Sequence, residues 1–368
     1  MHKSVIQSRG NDYVVIALAV LLITFGMAML SSASSHISQT QTGGTLYYVT
    51  HQFLYGVLPG TVLFLILSGI YYKRYEKLAA PLMIFGIALL ALTLTPLAFT
   101  AKGAARWVSI GPLTFQPSEP LKLFFILYLA AWLSSPRARD RHSNKGFIAF
   151  LVILGIVMGL LLKQPATSTA LLIGAVATLM YIVSGARMAH LMITGAIVAS
   201  GLTIAIWMAP YRMARIEAFM HPERNAQGSG YQVSQAKMAI GAGGVWGVGY
   251  GQSTTKINSL PEPLGDSIFA VIGEETGFAG SLALIGLILA LVVRIFIVAH
   301  ETRDRFGHLL LVGFGSLIAV QSFVNIGAIS GLIPSTGIAL PFISYGSSAL
   351  VVFMGILGII NNISKHND

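Results

Sequence analysis

The sequence contains no cysteine and unusually few charged residues. The absence of cysteine excludes disulfide bonds, thiolate metal sites and a cysteine nucleophile. Only 10% of the 368 residues are charged, whereas soluble domains carry about 25%. Hydrophobic residues make up 55% of the chain, and its mean hydropathy is +0.75. This composition excludes an ordinary soluble enzyme and also a disordered chain, which needs low hydrophobicity. An integral membrane protein remains.

Ten apolar stretches approach the roughly 20 residues that a membrane-spanning helix needs. They are residues 13–30, 53–70, 78–97, 120–133, 147–162, 169–183, 191–208, 268–293, 309–329 and 340–360. We therefore predict an all-α polytopic membrane protein with about ten transmembrane helices, forming one domain over residues 1–368. The first stretch is longer than the apolar core of a signal peptide, about 7–15 residues, so we interpret it as a retained span.

The basic residues predict the orientation of the chain, because cytoplasmic loops are enriched in lysine and arginine. One side of the predicted spans carries 14 of the 23, namely Lys3, Arg9, Lys73, Arg74, Lys77, Arg137, Arg139, Arg141, Lys145, Arg187, Arg294, Arg303, Arg305 and Lys365. This distribution places both termini in the cytoplasm and the long connection, about residues 209–267, on the outer face. The net charge of +10 is scattered between apolar runs, so we expect membrane lipids and no nucleic acid as partners.

Ionisable residues at membrane depth are candidates for function, and here they cluster toward the outer face. Arg106 and Trp107 precede the segment 116–122, which contains Glu119 and Lys122. The last two are three residues apart and share a helix face. They form either an internal ion pair that holds the helix start or part of a polar pocket that tolerates anions.

Three further cations belong to this face. Lys163 ends the fifth apolar stretch, where it either binds a ligand or only extends its ammonium to the membrane surface. Arg212 and Arg215 open the long connection and share a helix face. They could bind lipid headgroups without specificity, or hold a phosphate with their planar guanidinium groups.

A glycine-rich run, residues 241–251, holds six glycines in eleven residues. Such a run could present backbone N–H groups to a phosphate. It lacks the Gly-Lys-Ser/Thr of a Walker loop and the strand–helix frame of a dinucleotide fingerprint. We therefore favour close packing of a re-entrant segment as its role.

Asp266 ends the long connection, directly before the eighth apolar stretch. Aspartate is a favoured helix N-cap, so the residue type leaves capping and chemistry both open. Glu274 and Glu275 lie deeper in the same stretch, and we expect one of them to make buried contacts with neighbouring helices. The sequence has no His-Glu-x-x-His pair and no Gly-x-Ser-x-Gly elbow in a suitable context, so neither motif offers a metal ligand set or a serine nucleophile.

Several of these segments, in this order, resemble the SEDS family (shape, elongation, division and sporulation), which includes the FtsW and RodA branches. The matching segments are Ala105-Arg106-Trp107, Gln116-Pro117-Ser118-Glu119, Tyr211-Arg212-x-x-Arg215-Ile216, Tyr231-Gln232 with the glycine-rich run, Leu260-Pro261-Glu262, residues 266–275 and residues 340–346. The resemblance covers nearly the whole chain. Ser32-Ala33-Ser34 and Gly251-Gln252-Ser253 favour the FtsW branch, whereas Thr336 departs from its pattern. We predict an FtsW-like member, with a RodA-like one as the second choice.

The resemblance implies a ten-span peptidoglycan glycosyltransferase that polymerises lipid II at the outer face of the bacterial cytoplasmic membrane. For an FtsW-like member it implies action at the division septum; a role in elongation is the alternative. It also implies a class B penicillin-binding protein (FtsI-like) and other division proteins as partners. The family's catalytic acidic residue maps onto Asp266, which we expect to act as a general base or to orient a metal ion that helps to activate the acceptor.

The remaining site residues follow from the same resemblance. We expect substrate to be bound by Arg106, Trp107, Glu119, Lys122, Lys163, Arg212 and Arg215. A divalent cation, Mg or Mn, could assist, although no ligand cluster in the sequence fixes one, and no organic cofactor is expected.

Two other functions stay open at this stage. A lipid II flippase would need a polar path across the membrane, whereas the ionisable residues lie mostly at one face. A non-catalytic scaffold of the division complex predicts that loss of the Asp266 carboxylate leaves function intact.

Overall fold

The computed structural model describes residues 10–96, 98–101, 104–110, 113–136, 145–185, 188–207, 210–221 and 229–367. Most of these residues are helical. Some basic residues used to predict the topology lie outside the described ranges, namely Lys3, Arg9, Arg137, Arg139, Arg141 and Arg187.

The helices and strands follow one another along nearly the whole chain. In order they are α1 (Tyr13–Thr42), α2 (Tyr47–Gln52), a π-helical turn (Phe53–Val57), α3 (Leu58–Gly69), α4 (Lys73–Leu92), β1 (Ala98–Ala101), β2 (Ala104–Ile110), β3 (Leu113–Phe115), α5 (Ser118–Ser134), α6 (Lys145–Lys163), α7 (Thr167–Val183), α8 (Met188–Trp207), α9 (Pro210–Met220), α10 (Ser229–Ala242), α11 (Thr255–Asn258), α12 (Ile268–Glu301), α13 (Arg305–Ile329) and α14 (Ser347–Lys365).

The lengths and composition of the apolar helices are those of a membrane protein. Within the described ranges, seven helical stretches are long and apolar enough to cross a membrane, and α7 is a shorter apolar helix. Each of the ten predicted stretches overlaps a helix. The last one begins later than predicted, at Ser347 instead of residue 340.

Two regions differ from the predicted all-α fold with one long outer loop. First, the chain between α4 and α5 forms a three-stranded antiparallel sheet in the order β1-β2-β3. Its strands are rich in the β-branched and aromatic residues that favour extended structure. Second, the connection predicted as a loop over 209–267 contains α9, α10 and α11. Ala236 and Ala239 of α10 are fully buried, because small side chains let this helix pack closely on α12.

The glycine-rich run closes onto a break in α12. Gly277 has φ 67° and ψ −165°, which interrupts the helix and leaves backbone carbonyls without helical partners. The N–H of Val248 donates to the carbonyl of Glu274 at 2.9 Å. A Cβ added to Gly247 would lie 2.1 Å from the carbonyl oxygen of Glu275, so only glycine allows this approach. The structure thus contains the close packing that we predicted for this run.

The two ends of the helical bundle differ in their polar residues. At one end Arg294 of α12 pairs with Asp12 before α1 at 2.9 Å, and Lys73 of α4 pairs with Asp304 before α13 at 3.1 Å. The first pair joins the residue before α1 to the far half of α12, and the second joins α4 to the connection that follows α12. The start of α12, where Asp266 lies, is therefore at the opposite end of the bundle.

Candidate active site

Asp266 is held by two helices besides the one that it precedes. α12 begins at Ile268 with Ser267 as its N-cap residue, so Asp266 does not cap the helix. Its carboxylate Oδ2 accepts a hydrogen bond from Nε2 of Gln232 in α10 at 3.1 Å. Its backbone carbonyl accepts one from Nδ2 of Asn325 in α13 at 2.8 Å. The residue is half-buried, so its carboxylate is oriented by the protein and still reaches the surface.

An irregular segment between α13 and α14, residues 331–346, runs beside Asp266, and we call it the crossing segment. The hydroxyl of Ser344 donates to the carbonyl of Gly265 at 2.7 Å. The N–H of Tyr345 donates to the carbonyl of Leu264 at 2.8 Å. The crossing segment therefore fixes the two residues that immediately precede the carboxylate.

Arg215 of α9 meets the same segment from another side. Its NH1 donates to the carbonyls of Ser335 and Thr336 at 3.2 and 3.1 Å. A Cβ added to Gly337 would lie 3.6 Å from Oδ2 of Asp266 and 3.8 Å from NH2 of Arg215. The carboxylate and the guanidinium thus face one glycine, which has φ +67° and no side chain to fill the space between them.

Two more arginines converge on the turn between α6 and α7. Nε of Arg106 in β2 donates to the carbonyl of Gln164 at 3.4 Å, and NH2 of Arg212 in α9 donates to that of Leu162 at 3.2 Å. Lys163 is the last residue of α6, directly before this turn, and its side chain is exposed. Three cations predicted from separate parts of the sequence are therefore neighbours.

The α6–α7 turn and the crossing segment are joined directly. The hydroxyl of Ser168, in the first turn of α7, donates to the carbonyl of Thr336 at 2.6 Å. The structure thus brings five predicted site residues into one region, namely Arg106, Lys163, Arg212, Arg215 and Asp266. Such an arrangement can hold a polyanion by charge-assisted hydrogen bonds while its carboxylate accepts a proton.

Lys122 and Glu119 form the internal ion pair that was one of their two interpretations. Nζ of Lys122 lies 2.7 Å from Oε2 of Glu119, and only 2% of the lysine side chain is exposed. Nζ also donates to Oε1 of Gln321 at 3.1 Å, and Nε2 of Gln321 donates to the carbonyl of Ala339 at 2.9 Å. The pair therefore supports the crossing segment from the bundle interior.

Trp107 follows Arg106 on β2, and its backbone pairs with Phe99 of β1. The pairing shifts between Trp107 and Ala105, so Arg106 is the extra residue of a β-bulge, and the Trp107 indole beside it is half-buried.

Three polar residues of the site were not among the site residues predicted from the sequence, namely Gln232, Gln321 and Asn325, although Gln232 belongs to one of the segments that match the family. Their signal in the sequence is weak, because a single amide in a helix is compatible with many surroundings. Gln321 and Asn325 are each 1% exposed, and buried amides need hydrogen-bond partners.

The described residues offer a metal ion few ligands. Among them, no group of three or more His, Cys, Asp and Glu side chains is close enough to hold one. Asp266 would contribute a single carboxylate. That fits only a cation of the Mg²⁺ type, which commonly takes one or two carboxylates and completes its coordination with substrate phosphates and water.

Comparison with known proteins identifies close relatives. The family model for FtsW, RodA and SpoVE, described as "Cell cycle protein", matches residues 12–368. "Probable peptidoglycan glycosyltransferase FtsW" of Trichlorobacter lovleyi is 37% identical over 354 residues, which cover 96% of this chain and 93% of the relative. "Stage V sporulation protein E" of Bacillus subtilis is 34% identical over 359 residues, 97% of each chain.

Solved structures share the fold. A chain from a peptidoglycan synthase complex, described as coordinating polymerization and crosslinking, superimposes with a TM-score of 0.81 at 28% identity, covering 96% of this chain and 97% of that one. The rod shape determining protein RodA of Thermus thermophilus gives a TM-score of 0.72 at 26% identity over 97% of each chain. The family model and the identities over nearly full length confirm the predicted resemblance: this chain belongs to the SEDS family of FtsW, RodA and SpoVE.

Proposed function

We propose that this chain is a peptidoglycan glycosyltransferase that polymerises lipid II, with Asp266 as the general base. The observation that carries the proposal is the half-buried carboxylate of Asp266, which faces Arg215 across Gly337. The reaction class comes from the relatives named peptidoglycan glycosyltransferase, which match over more than nine-tenths of this chain.

In the proposed reaction, the 4-hydroxyl of an acceptor sugar attacks the anomeric carbon of a donor that carries a lipid pyrophosphate. The new C–O bond forms as Asp266 takes the hydroxyl proton, because a neutral hydroxyl is a poor nucleophile. The bond to the pyrophosphate breaks, and the leaving group departs with the electron pair. A pyrophosphate needs charge stabilisation and no proton. One carboxylate therefore suffices, unlike the pair in most glycoside hydrolases.

The cations of the site would bind the pyrophosphates. Arg215 is placed next to Asp266, and Arg106, Arg212 and Lys163 surround the α6–α7 turn. The arginines donate to backbone carbonyls, which holds them in place before substrate arrives. Preorganised charge of this kind stabilises a transition state without reorganisation during the reaction. Lys122 and Glu119 would contribute indirectly, because their buried ion pair supports the crossing segment through Gln321.

A divalent cation, Mg or Mn, is a separate part of the proposal. When bound, it would neutralise charge on the pyrophosphate, with Asp266 as its protein carboxylate. The chain's own residues carry the remaining steps: Asp266 receives the proton, and the arginines and Lys163 orient the phosphates.

We also propose ten spans, with both termini in the cytoplasm and the site on the outer face. The end of the bundle with Lys73, Arg294 and Lys365 would be cytoplasmic, because positive charge favours that side. The site lies at the opposite end. The partner would be an FtsI-like class B penicillin-binding protein, together with other division proteins. The FtsW relatives favour the division septum, and elongation is the second possibility.

Polymerisation by the purified wild-type protein tests this function. We expect glycan strands from lipid II on gels, with the yield measured with and without a cognate class B partner. The flippase alternative predicts transport of lipid II across vesicle membranes without any polymer. Transport without polymer, in the presence of the partner, would contradict the proposal.

The Arg215→Lys substitution tests how the cations bind phosphate. Lysine keeps the charge but loses the planar fork that contacts two carbonyls and can hold a phosphate. Losing one hydrogen bond to a charged group costs about 1.5–3 kcal/mol. We expect kcat/KM for lipid II to fall about 10- to 100-fold, measured from initial rates. Arg303→Lys, an exposed arginine at the other end of the bundle, is the matched control. Equal values for both variants would show that Arg215 acts only as a charge.

A further inference from the structure

His51 of α2 and Tyr345 of the crossing segment form a side-chain pair beside the segment that ends in Asp266. The hydroxyl of Tyr345 lies 3.0 Å from Nδ1 of His51, and the two ring centroids are 5.9 Å apart. The main chain of Tyr345 meanwhile donates to Leu264, two residues before Asp266, at 2.8 Å. One residue thus contacts α2 through its side chain and the Asp266 segment through its backbone.

A second contact joins α2 to the next residue of the crossing segment. Oε1 of Gln52 accepts a hydrogen bond from the N–H of Gly346 at 3.1 Å. Gln52 is 3% exposed, so its amide is shielded from competing water. The ring of Tyr48 packs edge-on against Tyr345, with centroids 5.2 Å apart. α2 therefore holds two consecutive residues of the segment that fixes Asp266.

The surroundings of Tyr345 keep its hydroxyl protonated. Burial, reinforced by Tyr47 and Tyr48, raises the pKa of Tyr345 to about 12. The hydroxyl therefore keeps its proton at neutral pH. A phenol can donate to an unprotonated Nδ1 of His51 or accept from a protonated one, so either tautomer of the ring keeps the hydrogen bond. Among the described residues, Tyr47 and Tyr55 of the same helical stretch also contact the His51 ring.

We propose that His51 and Tyr345 are positioning residues for Asp266. Their hydrogen bond fixes the crossing segment to α2. Ser344 and Tyr345 of that segment in turn bind the carbonyls of Gly265 and Leu264, so the position of α2 determines where the residues before Asp266 lie. This inference rests on the proposed role of Asp266 as general base. Tyrosines are also common at membrane surfaces as anchors. That role would need the rings but no hydrogen bond between Tyr345 and His51.

Variants that remove the hydrogen bond but keep apolar side chains at both positions distinguish the two roles. Tyr345→Phe removes the hydroxyl and keeps the packing with Tyr48. We expect it to lower kcat for lipid II polymerisation about tenfold, the effect of one lost hydrogen bond, with KM changed less than twofold. His51→Leu should have the same effect, and the double variant should be no slower than either single one, because both remove one interaction.

Two further variants serve as controls. His51→Gln retains an acceptor oxygen and should keep most of the wild-type rate. Tyr55→Phe removes a hydroxyl from a tyrosine of the same stretch that is 46% exposed, and it should leave kcat unchanged. Thermal unfolding of each variant shows whether it is folded. If Tyr345→Phe fails to fold, the comparison of His51→Leu with His51→Gln decides in its place.

The split between kcat and KM, and the recovery of the rate in His51→Gln, are readouts that a purely structural role would not change. A wild-type kcat in Tyr345→Phe, or a His51→Gln rate as low as that of His51→Leu, would overturn the inference. The proposed function fails separately, when the wild type makes no polymer or Asp266→Asn polymerises as fast as the wild type.

Discussion

The Asp266→Asn variant should lose lipid II polymerisation while it remains folded. Asparagine has nearly the same shape, and its carbonyl oxygen can still accept the hydrogen bond from Gln232. It cannot take a proton from the acceptor hydroxyl. A general base contributes about 10²- to 10⁴-fold to a rate, so we expect a decrease of that size in kcat. Initial rates with purified protein and the cognate class B partner measure it, and thermal unfolding checks the fold.

Glu262→Gln is the matched control for this prediction. Glu262 lies four residues earlier in the same segment, and its side chain is exposed. Its backbone carbonyl accepts hydrogen bonds from the N–H groups of Gly265 and Ser267 at 3.1 and 3.2 Å, and the substitution leaves these in place. We expect a nearly wild-type rate. Full activity in Asp266→Asn would instead favour a protein whose carboxylate is dispensable, as in a scaffold.

The transmembrane helices could be predicted from the sequence because long apolar stretches have few alternatives to a helix in a membrane. The residues at which these helices begin and end could not be predicted in the same way. Residues 340–346 carry apolar side chains, as does the helix that follows, yet they form part of the crossing segment. Phe342 has φ 66°, which no helix allows, and the N–H of Leu340 bonds to the Ser344 side chain at 2.8 Å. These contacts are set by tertiary structure and leave no periodic pattern.

The site was predictable in its residue types but not in its geometry. Asp266 and Arg215 are ionisable residues close to predicted spans, which makes them candidates, and the resemblance to the SEDS family assigned the catalytic role to Asp266. Their common neighbour Gly337 is distant in the sequence from both, and no local pattern indicates that it lies between them. The two interpretations of Glu119 and Lys122 also needed the structure, because spacing on a helix cannot reveal that the pair is buried.

The buried contacts of Glu274 and Glu275 were also predicted only in part from the sequence. We expected one of them to make buried contacts, and both do: they are 2% and 1% exposed. Glu274 accepts hydrogen bonds from the Ser253 hydroxyl at 2.5 Å and from the N–H of Thr254 at 3.1 Å. The glycine-rich run packs against the break at Gly277, and the segment that follows the run lies against Glu274.

Removing one partner of the buried pair between Lys256 and Glu275 should destabilise the protein strongly. Nζ of Lys256 lies 2.5 Å from Oε1 of Glu275, with the side chains 2% and 0% exposed. The Ser32 hydroxyl of α1 donates to the same carboxylate at 2.7 Å. Breaking a buried pair leaves an uncompensated charge and costs about 3–5 kcal/mol. We expect Glu275→Gln to lower the free energy of unfolding by that amount, measured by denaturant unfolding in detergent.

Two comparison variants test whether the loss of stability in Glu275→Gln comes from the burial of the pair, and not simply from the loss of an ion pair. Lys73→Gln breaks the pair with Asp304 at the other end of the bundle, where the side chains are 46% and 29% exposed. Exposed pairs contribute at most about 1 kcal/mol, so this variant should be nearly as stable as the wild type. The double variant Lys256→Met with Glu275→Leu removes both charges and should recover part of the loss.

Because the pair joins α1 and α11 to the part of α12 that follows Asp266, Glu275→Gln should also reduce polymerisation. Equal stability of Glu275→Gln and Lys73→Gln would show that the buried pair does not hold these elements together.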